Sequence, residues 1–186
     1  MRLFWILLLA LSAGCSSMAP APQKAPADAV AKVDVDRYMG TWYVIALDPS
    51  GDERGQVAMS LEYRNSGGGS IDVAWSSRDQ DFAHALGRQT GTARLLDADS
   101  GAFWAVKFPW NGASQYEVLY LDDEYQHAIA ADPAHRRALV LAREQRVSDE
   151  TYDLLLAALK AKNYDVSALV RVPQIEDQLG APGYSP

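Results

Sequence analysis

One cysteine in 186 residues, Cys15, has no second thiol to pair with, which excludes an intramolecular disulfide. Only three histidines are present, His84, His127 and His135. His127 has outward parity on its expected strand and the other two fall in or near loops, so no pair has metal-ligand spacing on one face. No Gly-x-Ser-x-Gly occurs, and a serine nucleophile therefore lacks its usual sharp turn. Basic residues are outnumbered, 17 Lys and Arg against 24 Asp and Glu for a formal charge of −7, and the positive footprint of a nucleic-acid binder is missing. The acidic pairs Asp122-Asp123-Glu124 and Asp149-Glu150 are explained by a turn and a helix start. These absences assign no catalytic residue, no metal ligand and no cofactor, and they point away from an enzyme.

What is there begins with a leader. Met1-Arg2, an uncharged run from Leu3 to Leu11 and Ser12-Ala13-Gly14-Cys15 make an export signal, far short of the roughly 20 apolar residues of a spanning helix. Ser-Ala-Gly-Cys resembles the lipobox of bacterial lipoproteins, with Ser12 where Leu is commonest. That resemblance implies cleavage after residue 14 and acylation of Cys15, palmitate included. Two or more chains anchor stably, since each buried methylene contributes about 0.8 kcal/mol. Ser16 follows the cysteine where Asp would resemble an inner-membrane retention signal, so the resemblance implies the outer membrane. Residues 15–33, with Pro20, Pro22 and Pro26, read as a semi-extended tether. A folded domain is expected over 34–173 and a loose tail over 174–186.

Within the domain, Gly40-Thr41-Trp42-Tyr43 leads a strand whose two faces are both apolar: Trp42, Val44 and Ala46 on one, Tyr43, Ile45 and Leu47 on the other. Val57, Met59, Leu61 and Tyr63 alternate with polar residues, as do Ile71, Val73 and Trp75 beyond a glycine-rich turn, which is an antiparallel hairpin. Further strands are expected near 89–96, 104–108, 116–121, 125–131 and 138–143, with turn formers between them. Strands about ten residues apart argue for an all-β sandwich or barrel. One segment departs from this: after Ser148, residues Tyr152, Leu155, Leu156 and Leu159 have the 3.6-residue period of a helix of about four turns. Its apolar stripe needs a sheet exterior, and Tyr43 and Ile45 offer one. Leu169, Val170 and Val172 read as a short last strand.

Gly40-Thr41-Trp42-Tyr43, the turn Asp122-Asp123-Glu124-Tyr125 and Leu141-Ala142-Arg143 together resemble, in order and spacing, the three conserved regions of the lipocalins. The similarity runs from about residue 35 to 173 and is strongest to bacterial outer-membrane, apolipoprotein D-like members. It implies an eight-stranded antiparallel up-and-down barrel with one C-terminal helix outside. Gly40, Trp42, Asp122, Tyr125 and Arg143 would then be structural, with Arg143 lying across Trp42 at the closed end. Val44 and Leu47 stand where bacterial members commonly carry Glu and Arg, and residues 109–115 replace a glycine- and aromatic-rich loop.

With the parity set by Trp42, the inward side chains are Val57, Met59, Leu61, Tyr63, Ile71, Val73, Trp75, Trp104, Val106, Phe108, Tyr116, Val118, Tyr120 and Leu139. That interior is apolar and aromatic, suited to an acyl chain, with tyrosine hydroxyls to orient a polar head. The expected function is a lipid-anchored, periplasm-facing carrier or store of fatty acids or lysophospholipids for membrane maintenance or stress, as a monomer or homodimer. The rival readings are a lipid-modifying or haem-binding enzyme using a loop histidine, and a structural envelope module with a vestigial cavity.

Overall fold

Alternating apolar residues dictate strands, and short polar turns between them dictate antiparallel neighbours. The computed structural model describes residues 23–49, 53–67, 69–109 and 112–184, and the leader with Cys15 lies outside them. The strands are β1 Gly40–Leu47, β2 Gln56–Gly67, β3 Ser70–Asp79, β4 Gly87–Asp97, β5 Phe103–Lys107, β6 Ala113–Leu121, β7 His127–Ala131 and β8 Ala138–Ala142. Each pairs antiparallel with the next, and β1 pairs with both β2 and β8, closing an eight-stranded up-and-down barrel. A two-residue strand, β9 Val170–Arg171, adds to the end of β1. A single turn of helix, α1 Val35–Tyr38, precedes β1, and α2 Asp149–Ala161 follows β8. Among the described residues no helix is long and apolar enough to cross a membrane.

Two apolar clusters share the wall. The inner one contains Trp42, Leu61, Tyr63, Val73, Trp104, Val118 and Leu141. The outer one joins Ile45, Ala46, Ile129 and Val140 to Leu155 and Leu159 of α2. Those two leucines are at most 1% exposed, and burial of each contributes roughly 1.5–3 kcal/mol, enough to hold the helix on the barrel. Ser148 caps α2, its Oγ accepting from the Thr151 amide at 3.1 Å.

Three β-bulges change which residues face inward. In β1 the register slips between Val44 and Ala46, so Ile45 and Ala46 both face out and Leu47 turns in, the reverse of simple alternation. In β2 the slip lies between Val57 and Ser60, with Ala58 at φ +52°. Val57 is thereby set opposite the outward Arg78 and Gln56 opposite Asp79, so Val57 is not inward as expected. In β6 the slip between Val118 and Tyr120 sends Leu119 and Tyr120 to the outer cluster and returns Leu121 to the inner one. Tyr120, expected in the interior, packs against the outer cluster instead. An extra residue in one strand inverts the side of everything beyond it until the next irregularity.

The bulges also free backbone groups, and the ends of the chain take them up. Val172 N donates to Ile45 O at 2.9 Å and Ala58 N to Pro173 O at 2.8 Å. Gln174 is 2% exposed, and its Nε2 donates to Val44 O at 2.6 Å and Met59 O at 3.1 Å. Arg171 lies between the Tyr152 and Tyr184 rings, 4.5 and 4.4 Å from their centroids. The segment after Pro173 is therefore tied down, not loose, through Tyr184. Residues 23–33, expected as free tether, also pack on the barrel: Gln23 N donates to Leu96 O, Val30 N to Val118 O and Val33 N to Ser100 O.

Candidate ligand chamber

The closed end is built from the Tyr38–Trp42 turn. Tyr38 is on α1 and Trp42 on β1, and the Trp42 indole N–H donates to Tyr38 O at 2.8 Å. Tyr38 sits 5.0 Å from Trp42, 5.7 Å from Tyr63 and 5.6 Å from Trp104 by ring centroid, tilted contacts that favour edge-to-face electrostatics. Arg143 seals this plug from outside, its guanidinium 3.7 Å over the Trp42 ring. Its nitrogens donate to the carbonyls of Thr41 (2.7 Å), Met39 (2.8 Å), Arg37 (2.9 Å), Tyr38 (3.2 Å) and Tyr125 (3.3 Å). Gly40, at φ +95°, lets the chain turn beneath that guanidinium. Asp122 holds the neighbouring turn by accepting from the Gln126 amide at 2.7 Å and the His127 amide at 3.1 Å. Tyr125 then accepts from the Asp34 amide at 2.8 Å and lies under Arg37.

Above the plug is a chamber of about 50 Å³, lined by Leu61, Tyr63, Trp75, Trp104, Val106, Phe108, Tyr116, Val118 and Leu139 of the expected set. It opens into a vestibule of about 290 Å³ that shares Trp75, Val106, Phe108 and Tyr116. Met59, Ile71 and Val73 belong to the inner cluster but are packed away from the chamber, and Val57 and Tyr120 do not face it. Sequence reasoning missed Tyr38, Ala130 and, between Tyr116 and Val118 on β6, Glu117 in the lining, and Glu53, Gln56, Ser77, Gln89 and Arg137 around the vestibule. Tyr38 was open to discovery, since it is an aromatic residue in the short segment that leads into Trp42. Gln56 was not, because only the bulge brings it in.

The deep chamber is electrically quiet. Burial raises the hydroxyl pKa values of Tyr38, Tyr63 and Tyr116, so all three stay neutral donors. The fixed charges stand at the vestibule, where Arg137 pairs with Glu53. A buried carboxyl, Glu117, is 1% exposed and stands on β6 opposite Ala131. Its Oε2 has no hydrogen-bond partner, and burial, with Asp28 and Asp132 adding to it, raises its pKa against the pull of His135 and Lys162. No group of three or more His, Cys, Asp or Glu side chains among the described residues could hold a metal ion.

About 50 Å³ corresponds to only a few water-sized spheres, so the deep end accepts something thin. Together the two spaces reach the lower end of the roughly 300–1,000 Å³ of small-molecule sites. A closed barrel with an apolar, tyrosine-tipped chamber and a charged, wider mouth defines a protein that binds a small lipophilic ligand.

Comparison with known proteins agrees with that class. Residues 33–174 match the family model of the lipocalin-like domain, and the chain belongs to the lipocalins. It is 32% identical over 181 residues to the outer membrane lipoprotein Blc of Escherichia coli K12, covering 94% of this chain and 98% of that protein. Temperature-induced lipocalin-1 of Arabidopsis thaliana is 32% identical over 166 residues, covering 82% and 85%. Among solved structures, insecticyanin from the tobacco hornworm Manduca sexta matches with a TM-score of 0.64 at 18% identity, over 89% of this chain and 92% of that one. Lobster apocrustacyanin A1 matches with a TM-score of 0.62 at 16% identity, over 83% and 95%. The two structures speak to fold alone.

Proposed function

We propose that this lipocalin holds a single-chain lipid, a fatty acid or lysophospholipid, in its chamber and vestibule, and carries or stores it at the outer membrane. The observation that carries the reading is the shape of the space: a narrow apolar end for a hydrocarbon tail below a wider polar mouth for a head group. A rigid fused-ring ligand is disfavoured by the same narrowness. The protein is a binder, and the buried tyrosines serve as neutral hydrogen-bond donors, not as catalytic acids or bases.

Anchoring is part of the same proposal. The lipobox-like Ser12-Ala13-Gly14-Cys15 and the similarity to outer membrane lipoproteins support acylation at Cys15 and an outer-membrane address, with the barrel facing the periplasm as part of the proposal. Residues 23–33 pack against the wall and form no part of a free tether. The test is mass spectrometry of lipid extracted from gently purified full-length protein. One acyl chain per barrel is expected; protein free of lipid that also fails to take up fatty acid on titration would favour a structural module with a vestigial cavity.

A further inference from the structure

The closed end of the chamber is packed with aromatic rings, and two of them carry hydroxyls that packing does not require. Tyr38 is 2% exposed and Tyr63 7%; both line the deep chamber, and neither borders the vestibule. Their rings stand 5.7 Å apart, and 5.6 and 5.9 Å from the Trp104 ring. Phenylalanine would supply the same plug with no polar atom to bury.

Among the described residues neither hydroxyl has a hydrogen-bond partner. The donors beside them are already engaged: the Trp42 indole N–H donates to Tyr38 O at 2.8 Å, and that of Trp104 to Gly101 O at 2.9 Å. Burial raises both hydroxyl pKa values, and the nearby Tyr38 and Tyr116 raise that of Tyr63 further, so both groups stay protonated donors. A buried donor left unpaired is costly, and a plain hydrocarbon tail cannot relieve it. A head group held in the vestibule meets Tyr116 and the Arg137–Glu53 pair there, not these two phenols. At about 50 Å³ the deep space admits one oxygen on a thin chain and has no room for a second head.

We propose that Tyr38 and Tyr63 form a second polar subsite at the closed end, selecting single-chain lipids that carry a hydroxyl on the far part of the hydrocarbon chain. The head stays in the vestibule, and the tail oxygen accepts from the two phenols through its two lone pairs. The inference rests on the carriage of a single-chain lipid in this chamber and adds the chemistry of its tail. One neutral hydrogen bond, net of dehydration, corresponds to about a threefold to tenfold gain in affinity over the plain chain.

The experiment measures dissociation constants of ω-hydroxy fatty acids of ten to sixteen carbons, of their parent acids and of α-hydroxyhexadecanoate, for the full chain and for Tyr38→Phe/Tyr63→Phe. The ω-series moves the hydroxyl stepwise through the depth of the barrel. At least one ω-hydroxy acid is expected to bind about threefold to tenfold tighter than its parent, and the double variant is expected to abolish that preference while the parent acids change less than twofold. The α-hydroxy acid, with its oxygen beside the head, is expected to follow hexadecanoate in both proteins. A preference that survives in the double variant overturns the subsite. So does a loss of hexadecanoate itself there, which would put the carboxylate at the phenols. Should the double variant fail to fold, Tyr63→Phe decides: a reduced preference supports the subsite, and an unchanged one overturns it. Wild-type protein that binds neither series overturns carriage itself, whereas equal binding of the two at every length overturns only the subsite.

Discussion

Arg143→Met keeps the stem over the Trp42 ring and removes the guanidinium, and its effect separates a structural plug from a ligand site. Five carbonyls and one indole face lose their partner. Those of Thr41 and Arg37 lie in exposed bonds and rehydrate, so they contribute little. The partly buried contacts to Tyr38, Met39 and Tyr125 share one charge, whose charged hydrogen bonding contributes roughly 1.5–3 kcal/mol net. The cation–π contact adds about 0.5–2 kcal/mol. A loss of about 3–4 kcal/mol follows, which for a domain of this size lowers Tm by roughly 6–16 °C. Thermal unfolding by circular dichroism measures it, with hexadecanoate affinity at 20 °C as the companion assay. A melting point within 2 °C of wild type, or undiminished stability with abolished ligand binding, would refute the assignment of Arg143 to the plug.

Gln174→Leu is expected to cost about 1–3 kcal/mol in a denaturant titration, because the Val44 and Met59 carbonyls freed by the bulges are left buried and unpaired. Wild-type stability in that variant would mean the tail is incidental. Gly91→Ala should push the Phe108 ring from its seat and change hexadecanoate association kinetics, read by stopped-flow tryptophan fluorescence; identical rates would show the ring is not in the path. Glu117→Gln tests the buried carboxyl by pH. Since burial raises its folded pKa above the ordinary 4.5, the native state keeps this proton longer than the unfolded chain does. Its contribution is present below the ordinary value and is lost as pH rises through the folded one. The Tm advantage of Glu117→Gln should therefore grow between pH 4 and pH 8, and a constant difference would contradict the raised pKa.

Most of the barrel was legible because its strands have one wet and one oily face, as in β2 and β3, where a register error would expose the core. The misreadings of which way β1, β2 and β6 residues face have one physical source. Bulges at Ile45, Ala58 and Leu119 lie among apolar residues buried on either face, so the inserted residue has no local signature in the sequence. Val57 and Tyr120 were lost from the lining that way, and Gln56 was gained. Arg143 and Trp42 were legible as a pair only through their resemblance to a family pattern, since a guanidinium a hundred residues from an indole has no local signature. The tail was read as loose because it is a chain terminus, yet Gln174 binds backbone groups whose availability depends on two bulges. Tyr38 was within reach, as an aromatic residue in the closing turn that leads into Trp42, where its ring has an indole to pack on.

The most direct test of the enclosed chamber is a hexadecanoate titration of the full chain and of Ala130→Phe, followed by Trp75 and Trp104 fluorescence. Ala130 lines the deep space, and a phenyl group there occupies what the tail would enter. Saturable quenching at one ligand per barrel in the wild type, weakened at least tenfold in a variant that keeps its near-ultraviolet circular dichroism, is the predicted result. Equal affinity in both would place the chain somewhere other than inside the barrel and contradict the account.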